Sequence, residues 1–102
     1  MIARIWHGWT SPKHADAYED FLRNKMFPSI HRVPGFLGAD LLRNDAADEI
    51  AFVTITRFQS LAAVKDFAGE DYERAVVEPE ARRLLSRYDE RSEHYEVVLD
   101  RA

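Results

Sequence analysis

The sequence predicts an α+β fold of the ferredoxin-like type, in which helices cover one face of an antiparallel four-stranded sheet. Three observations predict it. Strand-like and helical segments follow one another in the order β-α-β-β-α-β. Pro34-Gly35 ends a helix, and an extended apolar stretch begins directly after it. Turn-forming residues at 44–48 then join two strands as a hairpin. The 102 residues are expected to form a single domain, residues 1–102.

The first strand is predicted over Ile2–Trp9. Its alternation places Arg4 on the same face as Trp6, and His7 on the opposite face. Gly8 lies between aromatic residues, where the lack of a side chain leaves room for another backbone or for a flat ligand.

The first helix is predicted to begin at Ser11, because serine caps free backbone N–H groups and Pro12 suits the first helical position. Apolar residues at helical spacing give it a core-facing stripe, formed by Tyr18, Phe21, Leu22 and Met26. Pro28 should disturb the end of this helix. The segment Ser29–Val33 is therefore predicted to be a turn or a short extension.

The middle of the chain is predicted to be a hairpin followed by a capped helix. Strand two runs from about Phe36 to Arg43, and strand three is Ile50–Phe58, which carries bulky residues on both faces. Ser60 then caps a helix over Leu61–Ala68, and Gly69 is a natural C-terminal stop.

The second helical region is predicted to be split. A short helical piece covers Tyr72–Val77, and Pro79 opens a further helix that continues through Arg87. Strand four is predicted over Ser92–Leu99, which alternates in the manner of a strand.

The arrangement predicts a homodimer. Helices on one face of the sheet leave its other face to be covered, and an apolar face of this kind usually packs against a second sheet. Two subunits that pack sheet to sheet would form a closed or nearly closed dimeric α+β barrel.

Composition excludes several classes of protein. The chain has no cysteine, so disulfides, thiolate nucleophiles and cysteine-based metal clusters are ruled out. A formal net charge of -4 argues against a nucleic-acid partner. No apolar run approaches the roughly 20 residues of a membrane span, and the N-terminal residues do not resemble a signal peptide. A cytoplasmic protein is expected, with no membrane partner.

The histidines do not predict a metal site. The chain has four, His7, His14, His31 and His94, and no two of them lie at the i and i+4 spacing of ligands on one helix. No metal ligands are therefore assigned.

Three motifs together resemble the antibiotic biosynthesis monooxygenase (ABM) superfamily: Pro34-Gly35-Phe36-Leu37-Gly38, the strand end Thr54–Leu61, and Phe67-Ala68-Gly69. The resemblance covers nearly the whole chain and implies a small dimeric α+β barrel. Members of the superfamily include quinone-forming oxygenases without metal or flavin, haem-degrading enzymes and signal-molecule isomerases. Membership therefore implies architecture more strongly than reaction.

The haem-degrading branch is similar in fold but differs at its functional positions. Its members carry an asparagine on the first strand, a tryptophan on the second helix and an axial histidine further on. Counting from the shared strand-end motif, these positions fall near Trp6, on Phe67 and near Val77. None matches, although His31 or His94 could supply a ligand from elsewhere.

The leading hypothesis is a cofactor-independent monooxygenase-like protein that acts on a small aromatic or apolar molecule, with no cofactor expected. Such a reaction needs a base near neutral pKa, which is assigned to His31 or His7. Aromatic residues would hold the substrate, and Arg57 would hold a developing anion. The predicted substrate-binding residues are Trp6, Trp9, Phe67, Tyr72 and Arg57.

Each of these aromatic residues is equally explained as part of the hydrophobic core. A dimeric protein that binds a small hydrophobic molecule without turning it over is therefore the alternative, and haem degradation is a third. A binder needs apolar walls only, whereas the oxygenase needs a histidine or similar base that points into the cavity.

Overall fold

A computed structural model describes residues 1–101. It contains one antiparallel sheet with strands β1 (Ile2–Thr10), β2 (Phe36–Asp45), β3 (Ile50–Phe58), β4 (Leu85–Tyr88) and β5 (Glu93–Glu96). The strand order is β2-β3-β1-β4, and β5 also pairs with β1. The helices are α1 (Pro12–Phe21), α2 (Phe27–Ile30), α3 (Leu61–Ala68) and α4 (Pro79–Leu84). The predicted ferredoxin-like α+β class is confirmed, but the sheet has five strands rather than four.

The fifth strand arises where a helix was predicted from Pro79 through Arg87. The helix ends at Leu84, because the backbone of Leu85 turns extended and Leu85–Tyr88 pairs with β1 as β4, so the end of that helix prediction is wrong. β4 pairs with the Gly8–Thr10 end of β1, and β5 pairs with its Ile2–Ile5 end. Between them, the Asp89 N–H still donates to the His7 carbonyl at 3.0 Å. The strand predicted at Ser92–Leu99 is therefore wrong at both ends, because regular pairing covers only Glu93–Glu96.

The first helix continues further than predicted. After α1, a π-helical turn at Leu22–Met26 leads directly into α2. The Phe27 N–H donates to the Leu22 carbonyl five residues earlier. This changes the hydrogen-bond register just before Pro28, which then lies in the first turn of α2, where a missing N–H costs little. The turn predicted over Ser29–Val33 is therefore wrong for Ser29 and Ile30, which are helical, and is confirmed for residues 31–33.

The N-terminal ends of α1 and α3 are capped in different ways. The side chain of Ser11 makes no capping bond, and its carbonyl accepts from the His14 N–H at 3.1 Å instead. The Ser60 hydroxyl, in contrast, accepts from the Ala63 N–H at 3.2 Å. Gly69 ends α3 with φ 88°. The predicted bounds and cap of α3 are confirmed.

The segment Tyr72–Val77 is not helical, as had been predicted, but forms a turn followed by extended chain. Its backbone groups form hydrogen bonds with the segment between β4 and β5. The Ala75 N–H donates to the Glu90 carbonyl at 2.8 Å, and the Ser92 N–H donates to the Glu73 carbonyl at 2.6 Å. These long-range bonds replace the local bonds that a helix would need.

The core lies between the helices and one face of the sheet. Tyr18 packs edge-on against Phe52 with ring centroids 4.9 Å apart, and both side chains are fully buried. Phe58 and Val64 anchor a second cluster beneath α3. Within residues 1–101, no helix is both long and apolar enough to cross a membrane. We call the covered side of the sheet the inner face and the other side the outer face.

Candidate functional site

A cavity of about 80 Å³ lies between the helices and the inner face of the sheet. Most of its wall is apolar or aromatic and is contributed by β1, α1, the π-helical turn, α3 and α4. Its polar lining is limited to a few side chains, which include Arg4, Thr54, Thr56, Glu78 and Ser92. Apolar walls with few polar groups are typical of a small-molecule site.

Two of the predicted substrate-binding residues, Trp6 and Phe67, line this cavity. The Trp6 indole N–H donates to the Asp89 carbonyl at 2.6 Å, which fixes the ring. Phe67 stacks on Phe58 with ring centroids 5.8 Å apart and planes 27° apart. The hydrogen bond fixes the Trp6 ring and the stacking contact fixes the Phe67 ring, so each offers the cavity a rigid aromatic surface.

Arg4 is the buried charged group of the cavity lining, and the residue is only 5% exposed. Its guanidinium donates to the carbonyl oxygens of Tyr72 and Arg74 and to Nε2 of His94, 2.9 Å away. It also lies 5.5 Å from the centroid of the Phe67 ring. Burial lowers the pKa of Arg4 to about 10, which leaves the group charged at neutral pH.

His94 is in direct contact with the Arg4 guanidinium. Burial and, secondarily, the Arg4 charge lower the pKa of His94 below its ordinary value, against an opposing effect of Glu73. The imidazole is therefore neutral at neutral pH, and its Nε2 accepts from Arg4. Tyr72, another predicted substrate-binding residue, packs edge-on against His94 at 5.1 Å. Tyr72 supplies its carbonyl to the Arg4 site, but its side chain is not among the cavity walls.

The structure places His7, Trp9 and Arg57 on the outer face, away from the cavity. His7 Nδ1 lies 3.3 Å from an Asp89 carboxylate oxygen, and its ring stacks on Trp9 at 6.1 Å. Arg57 pairs with Asp40 at 2.8 Å. These three residues share a surface with one another but not with the cavity.

His31 follows α2 at the end of the first helical run and is exposed. Its ring meets the edge of Phe36 at 5.8 Å. None of the four histidines, all of which lie in the described part of the chain, lines the cavity. The space beside Gly8, where a flat ligand was expected to fit, is filled by the Leu85 side chain and the Trp6 ring.

The comparison with protein families decides the relationship of the chain. Residues 1–79 match the family model described as antibiotic biosynthesis monooxygenase. The chain belongs to this family. Members of the antibiotic biosynthesis monooxygenase family are typically dimers that bind small molecules, and membership supports a monooxygenase-like function.

Solved structures of the same fold cover almost the whole chain. An antibiotic biosynthesis monooxygenase shares 23% identity and a TM-score of 0.68, over 97% of this chain and 100% of the other. The heme degrader MhuD from Mycobacterium tuberculosis shares 22% identity and a TM-score of 0.63, over 100% of both chains. SnoaB, a cofactor-independent oxygenase from Streptomyces nogalater, shares 20% identity and a TM-score of 0.51, over 99% and 95%. At these identities the shared feature is the fold. A search of curated proteins gives no match.

The residues around the cavity do not fit a haem, which some members of the antibiotic biosynthesis monooxygenase family degrade. No histidine lines the cavity. Val77, the residue nearest to the position of the axial histidine in the haem-degrading branch, is part of the cavity wall. Burial raises the pKa of the Tyr18 phenol well above its usual range, so this cavity residue is protonated at neutral pH. Within residues 1–101, no group of three or more His, Asp or Glu side chains could hold a metal ion.

Sequence reasoning missed Arg4 and Ser92 as site residues. The signal for Arg4 was present, since its alternation places it on the same strand face as Trp6. An arginine on a core-facing strand position is unusual, because arginine is rarely buried. Ser92 gave no comparable signal, because its contacts are long-range: its N–H donates to the Glu73 carbonyl, and the adjacent Arg91 pairs with Arg74.

Proposed function

We propose that this protein is an oxygenase that acts on a small aromatic molecule bound in the inner-face cavity and that uses neither metal nor flavin. The observation that carries the proposal is an apolar cavity with two rigid aromatic walls, Trp6 and Phe67, in a fold of the monooxygenase family. SnoaB, which is cofactor-independent, has this fold as well. The cavity of about 80 Å³ is small, so the substrates tested first are those of a single ring.

The proposed chemistry is oxidation of an ionised, electron-rich ring by molecular oxygen. A ring CH ortho or para to the phenolate oxygen becomes a carbonyl carbon, so that a phenol gives a quinone. One oxygen atom of O₂ enters the product, the other leaves as water with two hydrogens of the substrate, and the substrate supplies all four electrons. Dry apolar walls favour this reaction, since they exclude the water that would otherwise stabilise the substrate anion. The Arg4 charge stabilises that anion inside the cavity.

His31 and His7 remain the proposed bases, and Trp9, Tyr72 and Arg57 remain proposed substrate contacts. In one protomer, His31 is exposed at the end of the helical run, and His7 lies on the outer face. The homodimer proposed below covers the outer face and with it His7, so of these two histidines His31 is the one that stays open to solvent. A base role for His31 requires it to act on the substrate before the substrate enters the cavity. If the variants His31→Ala and His7→Ala both keep full turnover, no histidine base is needed.

A second candidate function is binding of a small molecule without turnover. The specific observation in its favour is the cavity lining, which contains apolar walls and a cation but no histidine. A binder needs no base, and the residues present suffice for it.

We propose that the functional unit is a homodimer formed through the outer face. The centre of this face is apolar and only partly buried, with Ile5 opposite Ile55 and with Leu42, 48% exposed, opposite Val53. A second copy that covers these side chains removes them from water, which is favourable at about 25 cal/mol per Å² of apolar surface.

The test of the proposed function is oxygen consumption by the purified protein, freed of metal by chelation, with a panel of monocyclic phenols and hydroquinones. Val77 lies in the loop before α4 and lines the cavity. The larger side chain of Val77→Phe should fill part of the cavity and reduce turnover of an active substrate about tenfold or more. Val98→Phe is the matched control, because Val98 is 91% exposed, and it should keep full turnover. Equal rates of substrate turnover in the two variants would show that the reaction does not take place in this cavity. Binding of a ligand without oxygen consumption would favour the second function.

A further inference from the structure

Arg4 is a buried charge without a compensating opposite charge. Its three hydrogen-bond acceptors are two backbone carbonyls and the neutral His94 ring. Within residues 1–101, no carboxylate lies within 4 Å of its guanidinium. Buried charges are ordinarily paired, because desolvation of an unpaired ion is costly. The three contacts also leave two of the five guanidinium N–H groups without a protein acceptor.

Ser92 adds an independent observation at the same cavity. The residue is 5% exposed, and its hydroxyl is buried with no hydrogen-bond partner. An unpaired buried hydroxyl is destabilising, and most such groups find a partner. Both Arg4 and Ser92 line the cavity, so its wall contains a cation with spare donors and a hydroxyl with an unused donor.

The remaining charged group of the lining is Glu78, which is exposed and so is solvated rather than desolvated. Glu73 acts on His94 from outside the cavity wall. The buried part of the cavity is therefore positive. The unused groups of Arg4 are donors only, and the Ser92 hydroxyl is free to donate as well. A ligand that matches it carries an ionised oxygen.

We infer that the cavity binds a small aromatic acid as its anion, with the carboxylate or phenolate oxygen held by Arg4 and Ser92 and the ring against Trp6 and Phe67. This inference rests on the proposed function for the location of the site. It adds the two side chains that hold the ionised oxygen, and it extends the class of ligand to aromatic carboxylates. It also gives Arg4 a part in the chemistry: a guanidinium beside a bound phenol lowers the phenol pKa and so favours the ionised form that reacts with oxygen.

The test uses 4-nitrophenol, whose ionised form is yellow, together with benzoate and its neutral analogue benzamide. Binding to the full-length protein near the pKa of the phenol should increase the yellow fraction at constant pH. Benzoate should compete for the site and benzamide should not. Arg4→Met keeps the length of the side chain but removes the charge, and it should weaken binding of the anion about tenfold or more.

Three further variants separate recognition from folding. Ser92→Ala should weaken anion binding about tenfold, in line with the loss of one hydrogen bond to a charged group. Arg4→Lys keeps the charge and should restore part of the binding lost in Arg4→Met. Arg23→Met removes an arginine that is paired with Glu19 on the exposed side of the helical run, and it should leave binding unchanged.

The inference is overturned if Arg4→Met, folded by circular dichroism, binds 4-nitrophenolate as tightly as the wild type. It is also overturned if benzamide competes as well as benzoate. These measurements need no turnover. Anion binding that depends on Arg4, without oxygen consumption, would support the inference and contradict the oxygenase. Oxygen consumption with neutral substrates alone would support the oxygenase and contradict the binding of an anion.

Discussion

The contact between Arg4 and His94 fixes the protonation state of two groups at once. Arg4 donates to His94 Nε2 at 2.9 Å, so that nitrogen has to be unprotonated and the proton of the neutral ring lies on Nδ1. Protonation of His94 would place two cations side by side in a partly buried site. The neutral imidazole thus holds Arg4 in place without cancelling its charge.

This contact predicts a dependence of stability on pH. The pKa of His94 is lower in the folded chain than the ordinary value of about 6.5, so the folded state binds fewer protons than the unfolded state below that pH. The contribution to stability is present above about pH 6.5 and is lost as the pH falls through the lowered pKa. Urea unfolding between pH 7 and pH 5 should show this loss.

The variant His94→Gln should show a weaker dependence of the unfolding free energy on pH over the same range. Glutamine keeps a hydrogen-bond acceptor for Arg4 but does not titrate. His31→Gln, at an exposed position after α2, is the matched control and should keep the slope of the wild type. An unchanged slope in His94→Gln would show that other groups cause the loss.

At the residue scale, sequence reasoning could predict which side of a strand a residue occupies but not what it meets there. Alternation placed Arg4 with Trp6, and the structure agrees, since both line the cavity. The partners of Arg4 come from Tyr72, Arg74 and His94, which lie far along the chain. Their proximity depends on tertiary structure, so the short-range pattern could not reveal it.

At the element scale, two glycines with positive φ offer a matched comparison. Gly35, before β2, has φ 85°, and an added Cβ would lie 2.7 Å from the Ala63 Cβ of α3. Gly69, after α3, has φ 88°, and an added Cβ would meet nothing within 4 Å. Alanine at Gly69 therefore strains only the backbone, whereas alanine at Gly35 also forces β2 and α3 apart.

We expect Gly69→Ala to lower the unfolding free energy by about 1–3 kcal/mol through backbone strain. Gly35→Ala should lower it by about 1–3 kcal/mol more, because overpacking is added to the strain. Urea unfolding of the two variants gives the difference. If Gly35→Ala is no less stable than Gly69→Ala, the close packing of the Pro34-Gly35 turn on α3 does not limit stability.

Elements whose ends depend on local chemistry were predicted well, and those held by distant chain were not. α3 begins at the Ser60 cap and ends at Gly69, and both signals lie within a few residues of the helix. The segment Tyr72–Val77 has helical spacing, but its backbone bonds go to residues 90–92 instead. Local propensity is a weak guide wherever tertiary bonds compete for the same groups.

At the scale of the whole molecule, the outer face carries the prediction on assembly. The wild-type chain should have twice its monomer mass of 11.8 kDa at micromolar concentration, measured by light scattering on a sizing column. Ile55→Glu places a charge in the centre of the apolar outer face and should give a monomer.

The matched control is Leu61→Glu, which adds the same charge at the start of α3, where an acidic residue is favourable. Leu61 is 37% exposed and lies outside the sheet, so this variant should remain a dimer. A monomeric wild type, or a dimeric Ile55→Glu variant, would contradict assembly through the outer face.

The position of β1 has a consequence for the order in which the molecule is completed. β1 is made before the other strands of its sheet, yet one of its edges pairs with β3 and the other with β4 and β5, which follow all the other strands of the sheet along the chain. Such distant pairings slow folding, since the chain has to close a long loop before it gains the contact. Ser92, which lies between β4 and β5, arrives with them. The end of the cavity that contains Ser92 is therefore the last part to form, and the cavity wall is incomplete until β4 and β5 have paired with β1.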